Sequence, residues 1–174
     1  GGLAIHGGLI AGVFVGGVLA WRRSLPTLIY LDIIAPILAL GQAIGRWGNF
    51  FNQEAFGTPT DLPWKLYIDP AHRPPYLAEY EYFHPTFLYE SIWDLAVFAL
   101  LFSLLRKRLE PYRSALFLSY LGLYSFGRYF IEGLRIDSLM LGPFRAAQVM
   151  SLLLIVCSIG GLWWLLSRRY RGST

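Results

Sequence analysis

Arg46, Arg128, Arg135 and Arg145 stand at the ends of runs apolar enough to lie inside a membrane. Groups so costly to strip of water need an anionic partner there. A guanidinium presents paired planar donors and cannot lose its charge, so several of them converging at one depth suit the binding of a phosphate. Snorkelling to the interface is the structural alternative for any one of them. Two segments supply further polar groups. In Gly45-Arg46-Trp47-Gly48-Asn49-Phe50-Phe51-Asn52-Gln53-Glu54-Ala55-Phe56-Gly57, the residues Arg46, Asn49 and Gln53 recur at helical spacing. They predict one polar helix face or an ordinary helix end, and Gly45 and Gly48 leave room for a second helix or a lipid head group. Tyr120, Tyr124, Arg128, Glu132 and Arg135 form a second stripe along one helix face. Arg128, Glu132 and Arg135 together leave one positive charge to face an anion, or else close on themselves as a structural ion triad.

Two histidine segments follow. His84-Pro85-Thr86-Phe87-Leu88-Tyr89-Glu90 places proline at a helix start, with Glu90 and Asp94 on one face. The expected role is structural, holding a loop and pairing an arginine, with substrate contact by His84 or Glu90 as a second possibility. His6 lies in a glycine-rich span and is open to three roles: general base, substrate positioner, or hydrogen bonder between helices. No G-x-S-x-G, H-E-x-x-H or paired-aspartate helix is present, and three scattered histidines do not suggest a metal. No cofactor is expected. A reaction whose nucleophile comes from the substrate fits these absences.

The elements that must position these residues are helices. Hydrophobic residues make up 55% of the chain and its mean hydropathy is +0.46, which places it with polytopic membrane proteins. The expected fold is an all-α transmembrane helical bundle in one domain, residues 1–174. Its five spans run from Leu3 to Trp21, Leu28 to Phe50, Thr86 to Leu105, Ala115 to Ile131 and Phe144 to Leu166. A Pro-rich loop from Asn52 to Pro85 should lie outside the membrane and hold short elements of its own. Basic residues cluster at alternate ends: Arg22 and Arg23, then Arg106, Lys107, Arg108 and Arg113, then Arg168, Arg169 and Arg171. The positive-inside rule makes that side cytoplasmic and the arginine-bearing ends outer. Membrane lipids then account for the basic pI, and no nucleic acid is implied. Ala4, Gly8, Gly12, Gly16 and Ala20 form a small-residue row for tight helix packing. Cys157 is expected to be buried and inert.

Residues His6, Arg46 to Gly57, His84 to Glu90 and Tyr124 to Arg135 resemble, in order, the motifs of the bacterial prolipoprotein diacylglyceryl transferases. The resemblance covers essentially the whole chain, which reads as a fragment lacking the family's N-terminal spans and a tyrosine there. It implies an enzyme of the bacterial cytoplasmic (inner) membrane, multi-pass, with its site towards the outer face. Such enzymes move diacylglycerol from phosphatidylglycerol to the lipobox cysteine of a prolipoprotein signal peptide. By resemblance His6 is the base, and Arg46 and Arg128 clamp the phosphate. Asn49 handles the head group, Glu54 and Gly57 shape the loop over it, and Tyr124, Glu132 and Arg135 complete the binding site. A transporter or lipid-binding scaffold with an arginine-lined anion site is the competing class.

Overall fold

The computed structural model describes the backbone of residues 2–171 and the side chains of residues 11, 12 and 14–168. It is mainly helical. The order is α1 (Gly2–Arg22), α2 (Thr27–Phe51), β1 (Leu66–Tyr67), β2 (Tyr82–Phe83), α3 (Thr86–Ala99), α4 (Arg106–Leu109), α5 (Ala115–Glu132), β3 (Met140–Leu141), β4 (Phe144–Arg145) and α6 (Ala146–Arg171). A π-helical stretch, Leu100–Leu105, joins α3 to α4 into one continuous rod.

Among the described residues three helices are long and apolar enough to cross a membrane: Thr27–Phe51, Thr86–Leu109 and Ala146–Arg168. They correspond to three of the five expected spans. The fourth expected span is α5, whose 18 residues include Arg128 and Glu132 and are correspondingly less apolar. The outward faces of the long helices are apolar, with Ile33, Ile37 and Ile44 of α2 and Val156, Ile159 and Trp163 of α6 all exposed. A continuous surface of this kind is a membrane-facing one.

α2, α3 and α5 pack around Ala35, Ala39, Val97, Leu101, Leu116 and Tyr120. The alanines of α2 have no bulk, so its backbone approaches the larger side chains of its neighbours. α5 packs along α6, and Gly122 makes this possible: a Cβ there would stand 2.5 Å from Ser158 Oγ. Ser158 in turn donates to the Leu118 carbonyl at 2.6 Å. α2 and α5 run in the same direction and are joined at three levels. Asp32 accepts from the backbone N–H of Ser114 at 2.7 Å and of Phe117 at 2.9 Å. A donor-rich helix start is thus capped by a carboxylate from another helix, the service an N-cap side chain usually gives locally. One level up, Tyr120 donates to Gln42 at 2.8 Å, and above that Arg46 donates to Tyr124 at 3.4 Å.

The segment between α2 and α3 is ordered around its own small core of Phe56, Ile68 and Phe83, with Ile136 packed from the chain beyond α5. β1 and β2 pair antiparallel, as do β3 and β4, so the chain is helical with two minimal hairpins rather than wholly α. Two further expectations change. Cys157 is exposed on the outer surface of α6 rather than buried. In α1, positions beside Gly12 and Gly16 are open among the described residues, so that part of the small-residue row packs against nothing there.

Candidate active site

The end of α2 sets the first half of the site. Asn52 is αR, Gln53 has φ +49, the Gln53 N–H bonds the Phe50 carbonyl at 3.2 Å, and the Glu54 N–H bonds the Asn49 carbonyl at 3.0 Å. This is a Schellman closure with glutamine where glycine is usual. The left-handed residue turns Gln53 away from the Arg46 face, which corrects the expected Arg46, Asn49, Gln53 stripe. Its side chain is spent on the loop instead: Nε2 donates to Asp69 Oδ2 at 2.9 Å, and Oε1 accepts from the Asp69 N–H at 2.7 Å. Two hydrogen bonds offset the left-handed strain. Asn49, one turn beyond Arg46, is half-buried and its amide has no hydrogen-bond partner among the described residues. Among the described residues, Gly45 and Gly48 face open space.

Glu54 is exposed and accepts from Asn52 Nδ2 at 3.1 Å, at the rim of a cleft of about 390 Å³ that also involves His72, Tyr76 and Asp137. Gly57 is buried where three segments meet. Its N–H bonds the His84 carbonyl at 2.9 Å, it bridges Arg135, and an added Cβ would come within 2.7 Å of His84 Cβ. Only glycine fits. His84 approaches the Tyr89 hydroxyl at 3.2 Å through Nδ1, and the same hydroxyl accepts from Trp64 at 2.9 Å. His84 thus ties the loop to α3, and among the described residues it forms no hydrogen bond or ion pair with an arginine.

Glu90 is the centre of the charged group. Buried on α3 at 4% exposure, it bridges Arg46 of α2 through one oxygen and Arg128 of α5 through the other. Arg135 reaches it at 4.0 Å. Arg128 also binds Glu132 at 2.7 Å, and Arg135 lies 3.9 Å from the same carboxylate. Asp137 holds Arg135 by two bonds of 3.0 and 2.8 Å, and Arg145 donates to the Glu132 carbonyl. Burial works against the charge of Arg135, yet Asp137, Glu90 and Glu132 raise its pKa above the ordinary guanidinium value, so it stays cationic. Asp94, one turn from Glu90, is 2% exposed, and its Oδ2 has no hydrogen-bond partner among the described residues; it interacts electrostatically with Arg46 and Arg128.

The four arginines therefore gather as the sequence suggested. Arg46 pairs with Glu90, Arg128 with Glu90 and Glu132, and Arg135 with Asp137, while Arg145 meets the Glu132 backbone carbonyl. Sequence reasoning placed Glu90 second to Arg128 and Glu132. A carboxylate inside an apolar helix, one turn before Asp94, was the signal available. His6 lies on the backbone of α1, with its side chain outside the described residues.

A bundle with an apolar flank and a charged, largely buried group near one end is a helical membrane protein with a polar site held between its helices. The family model for prolipoprotein diacylglyceryl transferase matches residues 1–164, and the chain belongs to that family. Its relatives include phosphatidylglycerol–prolipoprotein diacylglyceryl transferases of Trichormus variabilis (58% identical over 97% of this chain and 61% of the relative), Gloeobacter violaceus (54%, 98% and 64%) and Thermosynechococcus vestitus (52%, 99% and 63%). The chain spans slightly over three fifths of the length of these relatives.

Proposed function

We propose that the full-length protein transfers the diacylglyceryl group of phosphatidylglycerol to the lipobox cysteine of a prolipoprotein. One observation carries the reading beyond family membership: Arg46 and Arg128, on different helices, share one buried carboxylate and so stand a carboxylate's width apart. Two phosphate oxygens match that spacing. The cysteine sulfur attacks the glyceryl carbon that bears the phosphate, an S–C bond forms as the C–O bond breaks, and the electron pair leaves with glycerol phosphate. The thiol proton goes to His6. The leaving phosphate gains a second negative charge, which Arg46 and Arg128 stabilise as it develops. Asn49, whose amide has no partner among the described residues, orients the head group, while Tyr124, Glu132 and Arg135 hold the clamp and Glu54 and Gly57 shape the loop beside it.

In this reading α1 and α5 also span, giving five spans in a single integral-membrane domain of the bacterial inner membrane, with the loop and site towards the outer face. Basic residues support that orientation: Arg22 and Arg23 precede α2, Arg113 precedes α5, and the starts of these helices lie together at Asp32. A transport path is the poorer reading, because the half of the bundle beyond the site is closed by Ala35, Ala39, Val97, Leu101 and Leu116. The test is mass spectrometry of a lipobox peptide incubated with full-length enzyme and phosphatidylglycerol. A diacylglyceryl thioether with release of glycerol phosphate is expected; an unmodified cysteine with folded enzyme overturns the reading. Cysteine-accessibility labelling of Pro75→Cys from the outer side checks the orientation.

A further inference from the structure

The pairing of charges in the site raises a problem that the clamp alone leaves open. Arg46 and Arg128 are the forks assigned to the phosphate, and both are already engaged by Glu90. Glu132 pairs with Arg128 as well, and Asp137 holds Arg135. An arriving anion can gain the two forks only by taking them from a carboxylate.

Of these carboxylates, Glu90 is the one in the right place. Among the described residues it alone forms ion pairs with guanidiniums of both α2 and α5, and each of its oxygens faces a different one, as two oxygens of a phosphate would. Glu132 and Asp137, by contrast, hold arginines of their own helix or its immediate extension. The neighbouring bonds let the forks survive an exchange: Arg46 keeps Tyr124 and Arg128 keeps Glu132 if Glu90 lets go.

We propose that Glu90 is a surrogate anion, a positioning residue that occupies the phosphate position in the ligand-free site and exchanges with the phosphodiester of an anionic phospholipid. This rests on the clamp reading above. In the resting site Glu90 keeps two like charges together and aligned, which otherwise repel. During the reaction the phosphate passes from one negative charge to two, and the forks move further from Glu90 to the leaving group as that charge grows. The exchange thereby favours the transition state over bound substrate. Competition from Glu90 also weakens ground-state binding, so affinity and turnover respond in opposite directions when it is neutralised.

The experiment uses full-length enzyme in lipid nanodiscs, glycerol phosphate as the binding probe, and phosphatidylglycerol turnover to a lipobox peptide. Glu90→Gln is expected to bind glycerol phosphate about tenfold more tightly, since one competing charge is gone, and to lose turnover by about tenfold or more as the forks lose alignment. Glu90→Asp reaches one fork at a time, and its affinity should fall between wild type and Glu90→Gln. Thermal midpoints are recorded alongside, and if Glu90→Gln fails to fold, the aspartate variant decides. Unchanged affinity in the folded variants, with a lowered thermal midpoint as the sole effect, overturns the exchange and leaves Glu90 a structural bridge. If wild type and Arg46→Lys show the same affinity for glycerol phosphate, the clamp itself falls and this inference with it.

Discussion

The two ends of the α2, α3 and α5 bundle are held by different physics. At the end that the proposed orientation makes the inner one, Asp32 caps the start of α5 through backbone N–H groups, and Ala35, Ala39, Val97 and Leu101 fill the space between helices. These contacts are ones a small ligand does not replace. At the other, outer in that orientation, the same helices meet through Glu90, Arg46 and Arg128, groups whose bonds a ligand can imitate. Buried ion groups of this kind contribute little net stability, although removing one partner costs about 3–5 kcal/mol. The difference separates a frame from a site: steric packing fixes the distance between helices, and charge gives the outer end something to trade.

The largest effect is expected at His6, the proposed base. Its replacement by alanine in full-length enzyme should slow turnover by about 10²–10⁴-fold near neutral pH. The deficit should shrink from pH 6 to pH 9 (roughly the range around a free thiol's pKa of about 8.5), because solvent then supplies the thiolate. A mutant-to-wild-type ratio that stays constant across that range removes His6 from the base role. Next come Arg46→Lys and Arg128→Lys, each expected to lose about 10²-fold in kcat, since a point-like ammonium cannot reproduce two directed bonds to a phosphate. Full activity in either variant would return that arginine to the frame.

The inner end should answer differently. Ala39→Leu should cost about 1–3 kcal/mol by overpacking, and Asp32→Ala about 1–2 kcal/mol by uncapping α5. Thermal unfolding measures both, and turnover per folded molecule should hold. A large kcat loss in Asp32→Ala without destabilisation would erase the contrast between the ends. The smallest effect belongs to Gln53→Gly, which relieves left-handed strain worth about 1–2 kcal/mol while freeing Asp69. Net stability should barely move, but amide exchange around Asp69 should rise; unchanged exchange would show that the clasp holds nothing.

The sequence disclosed the parts governed by composition and period. Apolar length located α2, α3 and α6, and helical spacing put Tyr124, Arg128 and Glu132 on one face of α5. Matters decided by distant partners were less legible. Asp32 is an acidic residue in an apolar run, but its partner lies 82 positions away at Ser114. Gln53 was assigned to the Arg46 face because a glutamine gives no sign of a left-handed residue. The two-residue strands owe their existence to pairing and to the core of Phe56, Ile68 and Phe83, with no periodic pattern to announce them. Glu90 was visible as an acid in a span, while its sharing between arginines of two other helices needed three dimensions.

The three levels joining α2 to α5 also act as a gauge of height. From Asp32 to Arg46 is fourteen residues of uninterrupted helix, about 21 Å at 1.5 Å per residue. The hydrocarbon layer of a bilayer is about 30 Å thick. With Asp32 near the inner boundary, as the proposed orientation has it, the forks stand below the level at which phospholipid phosphates rest in the outer leaflet. A lipid must then sink to react, and bilayer thickness becomes a determinant of rate: thinner membranes shorten the descent and thicker ones lengthen it.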